Sequence, residues 1–116
     1  MSKIDDLTRL KHIKEATVEA IMFVEGRCRQ DLDTERMLSL ALVRLIEIIG
    51  EAANNISLEK QNQYLEIPWR RMIGMRNRLS HAYFEVDLDI VWQVVMQDLP
   101  KILPQIETAI SELEEV

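Results

Sequence analysis

Cysteine, glycine, proline and aromatic residues are all scarce in this 116-residue chain, and each shortage excludes a class of protein. The single cysteine, Cys28, has no partner for an intramolecular disulfide and no second thiol for a zinc or redox motif, which fits a reducing cytosol. Three glycines, three prolines and 5% aromatic residues, beside 47% hydrophobic residues, favour a helical globular fold over a fibrous or disordered chain. The length predicts a single domain over residues 1–116.

Long apolar runs are also missing. No stretch approaches the roughly 20 apolar residues that a membrane span needs, and charged residues interrupt the first turns where a signal peptide or anchor would be apolar. We therefore expect a cytoplasmic protein without a membrane partner.

Positive charge is scarce overall but concentrated in one window. The net charge of −6 disfavours a general nucleic-acid coat protein, because phosphate binding usually requires a basic face. Between Ile67 and Phe84, however, Arg70, Arg71, Arg76 and Arg78 occur without any carboxylate. The sequence thus predicts one local anion site on an acidic protein.

Apolar residues recur at spacings of three and four through most of the chain, which predicts amphipathic helices. The predicted helices run from Ile4 to about Val24, Thr34 to Ile56 with Asp33 or Thr34 as N-cap, Pro68 to Leu79, and Asp87 as N-cap to about Leu99. Pro100 and Pro104 are predicted to start or kink a fifth helix, which ends in acidic turns. The segment from Ser57 to Glu66 is predicted to be a loop, and the interior Gly74 either weakens the third helix or permits close packing. The fold class is therefore all-α, a four- to five-helix up-and-down bundle.

The second predicted helix is apolar over more than one face, so it either lies at the centre of its own bundle or also binds another copy of the chain. Its polar residues Arg44, Glu47, Glu51 and Asn54 lie three or four apart and form one narrow stripe. This stripe is either a solvated seam with an internal ion pair or the border of an active cleft.

The residues needed for familiar metal and cofactor sites are not present in the required patterns. Neither histidine belongs to a Glu-x-x-His or His-Glu-x-x-His pattern, and the three glycines are isolated, so we expect no metal and no cofactor. Arg76 and His81 instead suit metal-free RNA cleavage, since an imidazole can transfer the protons while a guanidinium stabilises the phosphorane. On an unbroken helix the two would lie about 140° apart, so the helix must end between Leu79 and His81, or two chains must share the site.

Each of these residues also has a structural interpretation. Arg76 could balance a helix dipole, His81 could be a cap or a core residue, and Tyr83 could serve packing. Arg70 and Arg71 could face solvent or position a phosphate, and Arg78 belongs to the same basic window. The residues alone leave these alternatives open.

The segment 73–84 with its Arg-x4-His-x-Tyr pattern, the residues 86–88 and 91–92 that follow, and the segment 45–53 resemble the HepT-like branch of the HEPN superfamily. The resemblance implies a helical-bundle homodimer with facing motifs, acting as a ribonuclease toxin on tRNA or mRNA. It implies that Arg76 and His81 are catalytic, that Asn77 supports the site, and that Tyr83 is adenylylated by a cognate minimal nucleotidyltransferase antitoxin. The alternatives are a non-catalytic HEPN module that binds a nucleotide or partner as the regulatory half of such a pair, and a plain dimeric scaffold.

Overall fold

Helices form almost the whole of the described chain. The computed structural model describes residues 5–82 and 85–115, with the backbone alone at residues 80–82 and 85. The helices are α1 (Asp6–Phe23), α2 (Asp31–Thr34), α3 (Arg36–Asn54), α4 (Leu58–Gln63), α5 (Trp69–Leu79), α6 (Leu88–Gln93) and α7 (Leu99–Glu114). A π-helical segment, Val94–Asp98, joins α6 to α7, and an antiparallel hairpin pairs β1 (Ser80–Ala82) with β2 (Glu85–Val86). The prediction of an all-α bundle is confirmed.

The second long helix, α3, lies at the centre of this bundle. It packs against α1 on one side and α5 on the other, and α1 also packs against α7. Leu42, Ile46 and Ile49 of α3 are completely buried, so their apolar surface, at about 25 cal/mol per Å², is a main source of stability. Met37 and Leu40, near the start of the same helix, are 87% and 54% exposed. The apolar excess of this helix therefore fills the core and also leaves an apolar surface.

Three local predictions were wrong. Asp33 and Thr34 do not cap α3, because they belong to the short helix α2, whose Leu32 is buried and accepts a hydrogen bond of 2.6 Å from Ser39 Oγ. The segment predicted as a loop contains α4, which begins at Ser57 as N-cap. The hairpin after α5 was also unexpected, since two strands of three and two residues are too short to produce an alternating pattern.

Helix α4 connects the end of α3 to the start of α5. Gln61 Nε2 donates to the carbonyl oxygens of Ala53 and Ile56, at 3.3 and 3.0 Å, and so links α4 to the C-terminal end of α3. The indole N–H of Trp69 donates to the carbonyl oxygens of Gln61 and Tyr64, at 3.1 and 3.0 Å. The start of α5 is therefore held against α4.

The predictions for Asp87, Pro100 and Pro104 have different outcomes. Asp87 is the N-cap of α6 as predicted, and its carboxylate accepts from the backbone N–H groups of Asp89 and Ile90, at 3.0 and 3.2 Å. Pro100 lies in the first turn of α7, while Pro104 lies inside that helix without ending it.

No helix within residues 5–82 and 85–115 is long and apolar enough to span a bilayer.

Glycine permits the closest contact between α3 and α5, at a position that the sequence did not single out. A Cβ atom on Gly50 would lie 3.0 Å from the backbone carbonyl oxygen of Met72, whereas a Cβ atom on Gly74 would meet nothing within 4 Å. The close-packing role considered for Gly74 therefore belongs to Gly50.

Candidate active site

Helix α5 presents its basic residues on three different sides. Successive residues of an α-helix are rotated by about 100°, so Arg71 and Arg78 fall within about 20° of each other. Arg76 lies with Ile73 and Asn77 on the side that meets α3. The middle of this group is roughly 160° around the helix from that pair. Arg70 projects away from the buried face and is exposed. The basic window of the sequence is thus divided by the helix.

An open groove lies where α5 meets α3. It has a volume of about 320 Å³ and is lined by Glu47, Gly50, Glu51 and Asn54 of α3 and by Ile73, Arg76 and Asn77 of α5. This volume falls at the lower end of the range for small-molecule sites, about 300–1,000 Å³. The groove brings together Arg76 and Asn77, two of the residues predicted for the site.

Glu47 provides the acidic partner of Arg76. The guanidinium Nε of Arg76 lies 3.6 Å from Glu47 Oε2, and the side chain of Arg76 remains 72% exposed. Glu47 also lies 3.7 Å from Arg44 on its own helix. The polar stripe of α3 therefore contains an internal ion pair and also borders the groove. It has features of both predicted interpretations.

The chain reverses direction immediately after this part of α5. The helix ends at Leu79, β1 begins at Ser80, and Ser80 pairs with Val86. The backbone N–H of Asp87 then donates to the carbonyl oxygen of Leu79, which joins the two ends of the hairpin. The helix therefore ends between Leu79 and His81, which is one of the two arrangements that the spacing of Arg76 and His81 allowed.

The two remaining residues of the motif are described only in part. The backbone of His81 lies in β1, and its side chain lies outside the described part of the structure. Tyr83 lies outside the described residues altogether, as does Phe84. The structure thus places Arg76 and Asn77 in one groove and the His81 backbone two residues beyond the end of their helix.

Asp98 binds the two arginines on the opposite side of α5. Both oxygens of this carboxylate accept from Arg71, at 3.1 to 3.3 Å, and Arg78 Nη1 lies 3.4 Å from Oδ2. The Asp98 side chain is only 11% exposed, and it stands in the π-helical segment that precedes α7. The ion pairs therefore attach the first and last turns of α5 to the C-terminal helices.

We expect Asp98→Asn to destabilise the fold by about 1–2 kcal/mol. Charge-assisted hydrogen bonds contribute about 1.5–3 kcal/mol each when desolvated, and the partial exposure of both arginines reduces this. Glu107→Gln is the matched control, because it breaks a 3.6 Å pair with Lys14 in which both side chains are about half exposed. Urea unfolding measures both, and equal stability of the two variants would contradict a structural role for Asp98.

Among the described side chains, no three of the types His, Cys, Asp and Glu lie close enough together to hold a metal ion.

Comparisons with known proteins fit this architecture. The family described as ribonuclease HepT-like matches residues 10–109, which is most of the chain. The chain belongs to the HepT-like ribonuclease family. No solved structure gives a significant match.

Individual relatives extend over nearly the full length. "Putative RNase MJ1380" of Methanocaldococcus jannaschii is 35% identical over 107 residues, which cover 92% of this chain and 98% of the relative. "Probable ribonuclease HepT" of Thermococcus cleftensis is 38% identical over 98 residues, covering 84% and 89% of the two chains. "Putative RNase TTE0752" of Caldanaerobacter subterraneus is 32% identical over 103 residues, covering 89% and 92%. The predicted resemblance to HepT-like HEPN ribonucleases is confirmed at the level of the family.

Asp98 and Gly50 are the structural residues near this site that the sequence did not reveal. Asp98 is separated from Arg71 and Arg78 by 27 and 20 positions, so no local pattern connects them. Gly50 sits within an apolar helix, where a lone glycine gives no sign of which neighbour approaches it. The stripe of α3 was the one available signal for the groove.

Proposed function

We propose that this protein is a metal-independent endoribonuclease toxin in which Arg76 and His81 act on RNA at a cleft between two copies of the chain. The observation that carries the proposal is the open groove containing Arg76 and Asn77, with α5 ending at Leu79 and the backbone of His81 following two residues later in β1. Membership of the HepT-like ribonuclease family supports the choice of RNA as substrate.

The proposed reaction needs one proton acceptor, one cation and one proton donor. A base removes the proton of the ribose 2′-hydroxyl, the 2′-oxygen attacks the adjacent phosphorus, and the 5′-oxygen leaves with a proton. The products are a 2′,3′-cyclic phosphate and a free 5′-hydroxyl. In this scheme Arg76 binds the phosphate oxygens whose negative charge grows in the phosphorane, and His81 transfers a proton.

The surroundings of Arg76 suit a phosphate contact. Glu47 lies near one edge of the guanidinium at 3.6 Å, beyond hydrogen-bond distance, while most of the side chain remains exposed. A phosphate can therefore reach the free edge and form the bidentate pair that arginine favours. Asn77, exposed on the adjacent position, supplies an amide donor at the same groove.

Exposed apolar residues support the homodimer. Met37 and Leu40 of α3 are among the exposed large hydrophobic side chains, and Leu40 lines a second groove together with Val43, Val86 and Leu88. Contiguous exposed apolar surface of this kind commonly marks a protein interface. Val86 also ends the hairpin that carries His81, so an interface here would place a second chain beside the proposed site.

The proposed partners follow from the family resemblance. We assign Tyr83 as the residue that a minimal nucleotidyltransferase antitoxin adenylylates, two positions after His81. An added AMP would bring a bulky anion to the place where the RNA phosphate binds, and would repel the substrate.

The proposal is tested by incubating purified protein with tRNA and mRNA in EDTA. We expect products with cyclic phosphate ends, and light scattering should give twice the chain mass of 13.6 kDa. Intact RNA would favour the non-catalytic module, and a mass of one chain would overturn the shared cleft.

Phosphate binding beyond the groove should depend on Arg70 more than on Arg71 or Arg78. Within the described residues Arg70 forms no ion pair, while the other two are paired with Asp98 and would have to leave it to reach a phosphate. We expect Arg70→Ala to weaken RNA binding and to reduce the slope of log affinity against log salt by about 1. Fluorescence anisotropy over a salt series measures this, and Arg71→Ala is the matched control. An equal or larger loss in Arg71→Ala would contradict the assignment.

A further inference from the structure

The groove between α3 and α5 is more acidic than expected for a site that binds only phosphate. Glu47 and Glu51 contribute two carboxylates, while Arg76 is the one cation among its lining residues in the described structure. Like charges at short range repel, so a phosphate can bind at Arg76 but not along the rest of the groove. The remaining surface must suit a part of the ligand that donates hydrogen bonds.

Glu51 is the carboxylate that is available to a ligand. Glu47 is already engaged by Arg76 and Arg44, at 3.6 and 3.7 Å. Glu51, one helical turn further along α3, is exposed and forms no ion pair or side-chain hydrogen bond within residues 5–82 and 85–115. The groove therefore presents an unpaired acceptor a short distance from the proposed phosphate site.

The other lining groups match the flat shape and polar edges of a nucleobase. Asn54 and Asn77 contribute amides that both donate and accept hydrogen bonds. Ile73 provides an apolar surface on the α5 side of the groove. Single-stranded RNA is usually recognised in this way, through contacts with base faces and Watson–Crick edges.

We propose that Glu51 binds the Watson–Crick edge of a guanine base in the RNA strand whose phosphate lies at Arg76. This inference rests on the proposed function and specifies which RNA base the proposed ribonuclease prefers. A carboxylate has two oxygens that accept parallel hydrogen bonds, and guanine presents two parallel donors, N1–H and the N2 amino group. Charge-assisted bonds of this kind are roughly twice as strong as neutral ones.

The other bases cannot form the same pair. Adenine and cytosine each present one amino donor beside a ring-nitrogen acceptor, whose lone pair faces the second carboxylate oxygen. Uracil presents one N–H between two carbonyl oxygens. Each of them leaves an acceptor against an acceptor, and such a mismatch is costly in a binding site. Selectivity for guanine therefore follows from the two acceptor oxygens of the Glu51 carboxylate.

A separate groove on the other side of Glu51, distinct from the groove lined by Leu40, provides space for the next nucleotides of the RNA strand. It lies between α1 and α3 and is lined by Arg9, His12, Ile48, Glu51, Ala52 and Asn55. Glu51 thus stands between Arg76 on α5 and the basic side chains of α1. A nucleotide with its base at Glu51 would have cationic groups on both sides for its flanking phosphates.

The binding test uses NMR titration of GMP, IMP and AMP into the His81→Ala protein, with and without Glu51→Gln. We expect GMP to bind about tenfold more tightly than IMP or AMP, because IMP lacks the second donor. Glu51→Gln should abolish this difference. Glu19→Gln, an exposed glutamate on α1 without an ion pair in the described structure, is the matched control and should preserve it.

A cleavage assay separates this inference from the proposed function. RNA oligonucleotides that differ at a single base are cut in EDTA by the wild-type protein and by Glu51→Gln. If cleavage depends on His81 but neither assay shows a preference for guanine that Glu51→Gln removes, the inference is overturned and the proposed function stands. If no RNA is cut yet GMP binding depends on Glu51, the inference stands and the proposed function fails.

Discussion

Replacing His81 by alanine is expected to lower the rate of RNA cleavage in EDTA by about 10²–10⁴-fold, the usual contribution of a positioned proton-transfer group. Arg76→Ala should lower the rate by about 10²–10³-fold, as removal of one donor to a developing oxyanion does in other enzymes. Both rates are measured under single-turnover conditions, so that product release does not conceal the chemical step.

The stability of the variants distinguishes a chemical role from a structural one. Arg76 is 72% exposed, and its one ion pair in the described structure is long, so Arg76→Ala should change the free energy of unfolding by less than about 0.5 kcal/mol. Lys101→Ala removes another exposed cation and should leave the cleavage rate unchanged. Near wild-type cleavage by either His81→Ala or Arg76→Ala would refute the proposed roles.

Gly50→Ala is expected to destabilise the fold by about 1–3 kcal/mol, the usual cost of adding a methyl group to a fully packed contact. The new Cβ would lie 3.0 Å from a backbone oxygen of α5, which cannot move aside as a flexible side chain could. The two helices must therefore separate, and the groove between Glu47 and Arg76 would widen. We expect the cleavage rate to fall together with the melting temperature.

Gly74→Ala is the matched control for this substitution. Its Cβ would enter open space inside α5, where alanine is favoured over glycine by about 0.5–1 kcal/mol. Urea unfolding of the two variants should thus shift the midpoint in opposite directions. If the urea midpoint of Gly50→Ala is not lower than that of Gly74→Ala, the α3–α5 contact accommodates the added methyl group and the prediction is wrong.

The helical elements that position the site could be predicted because their signals are local. The end of α5 at Leu79 and the N-cap at Asp87 were both predictable from residues within one or two turns. The spacing of Arg76 and His81 also indicated either a break in the helix or a site shared by two chains, and the hairpin provides the break. Helix α4 was missed because its six residues are too few for a periodic pattern, and Asp6, which binds its N-cap Ser57, is 51 positions away in sequence.

The basic window shows how tertiary structure changes the meaning of a sequence pattern. From the sequence alone, four arginines lie between Ile67 and Phe84 without a carboxylate, and all four belong to one predicted helix. The packing of the helices is what brings Glu47 to Arg76 and the single carboxylate of Asp98 to both Arg71 and Arg78. Helix periodicity is a local property of the chain, whereas pairing of charges depends on which distant segments the packing of the core brings together.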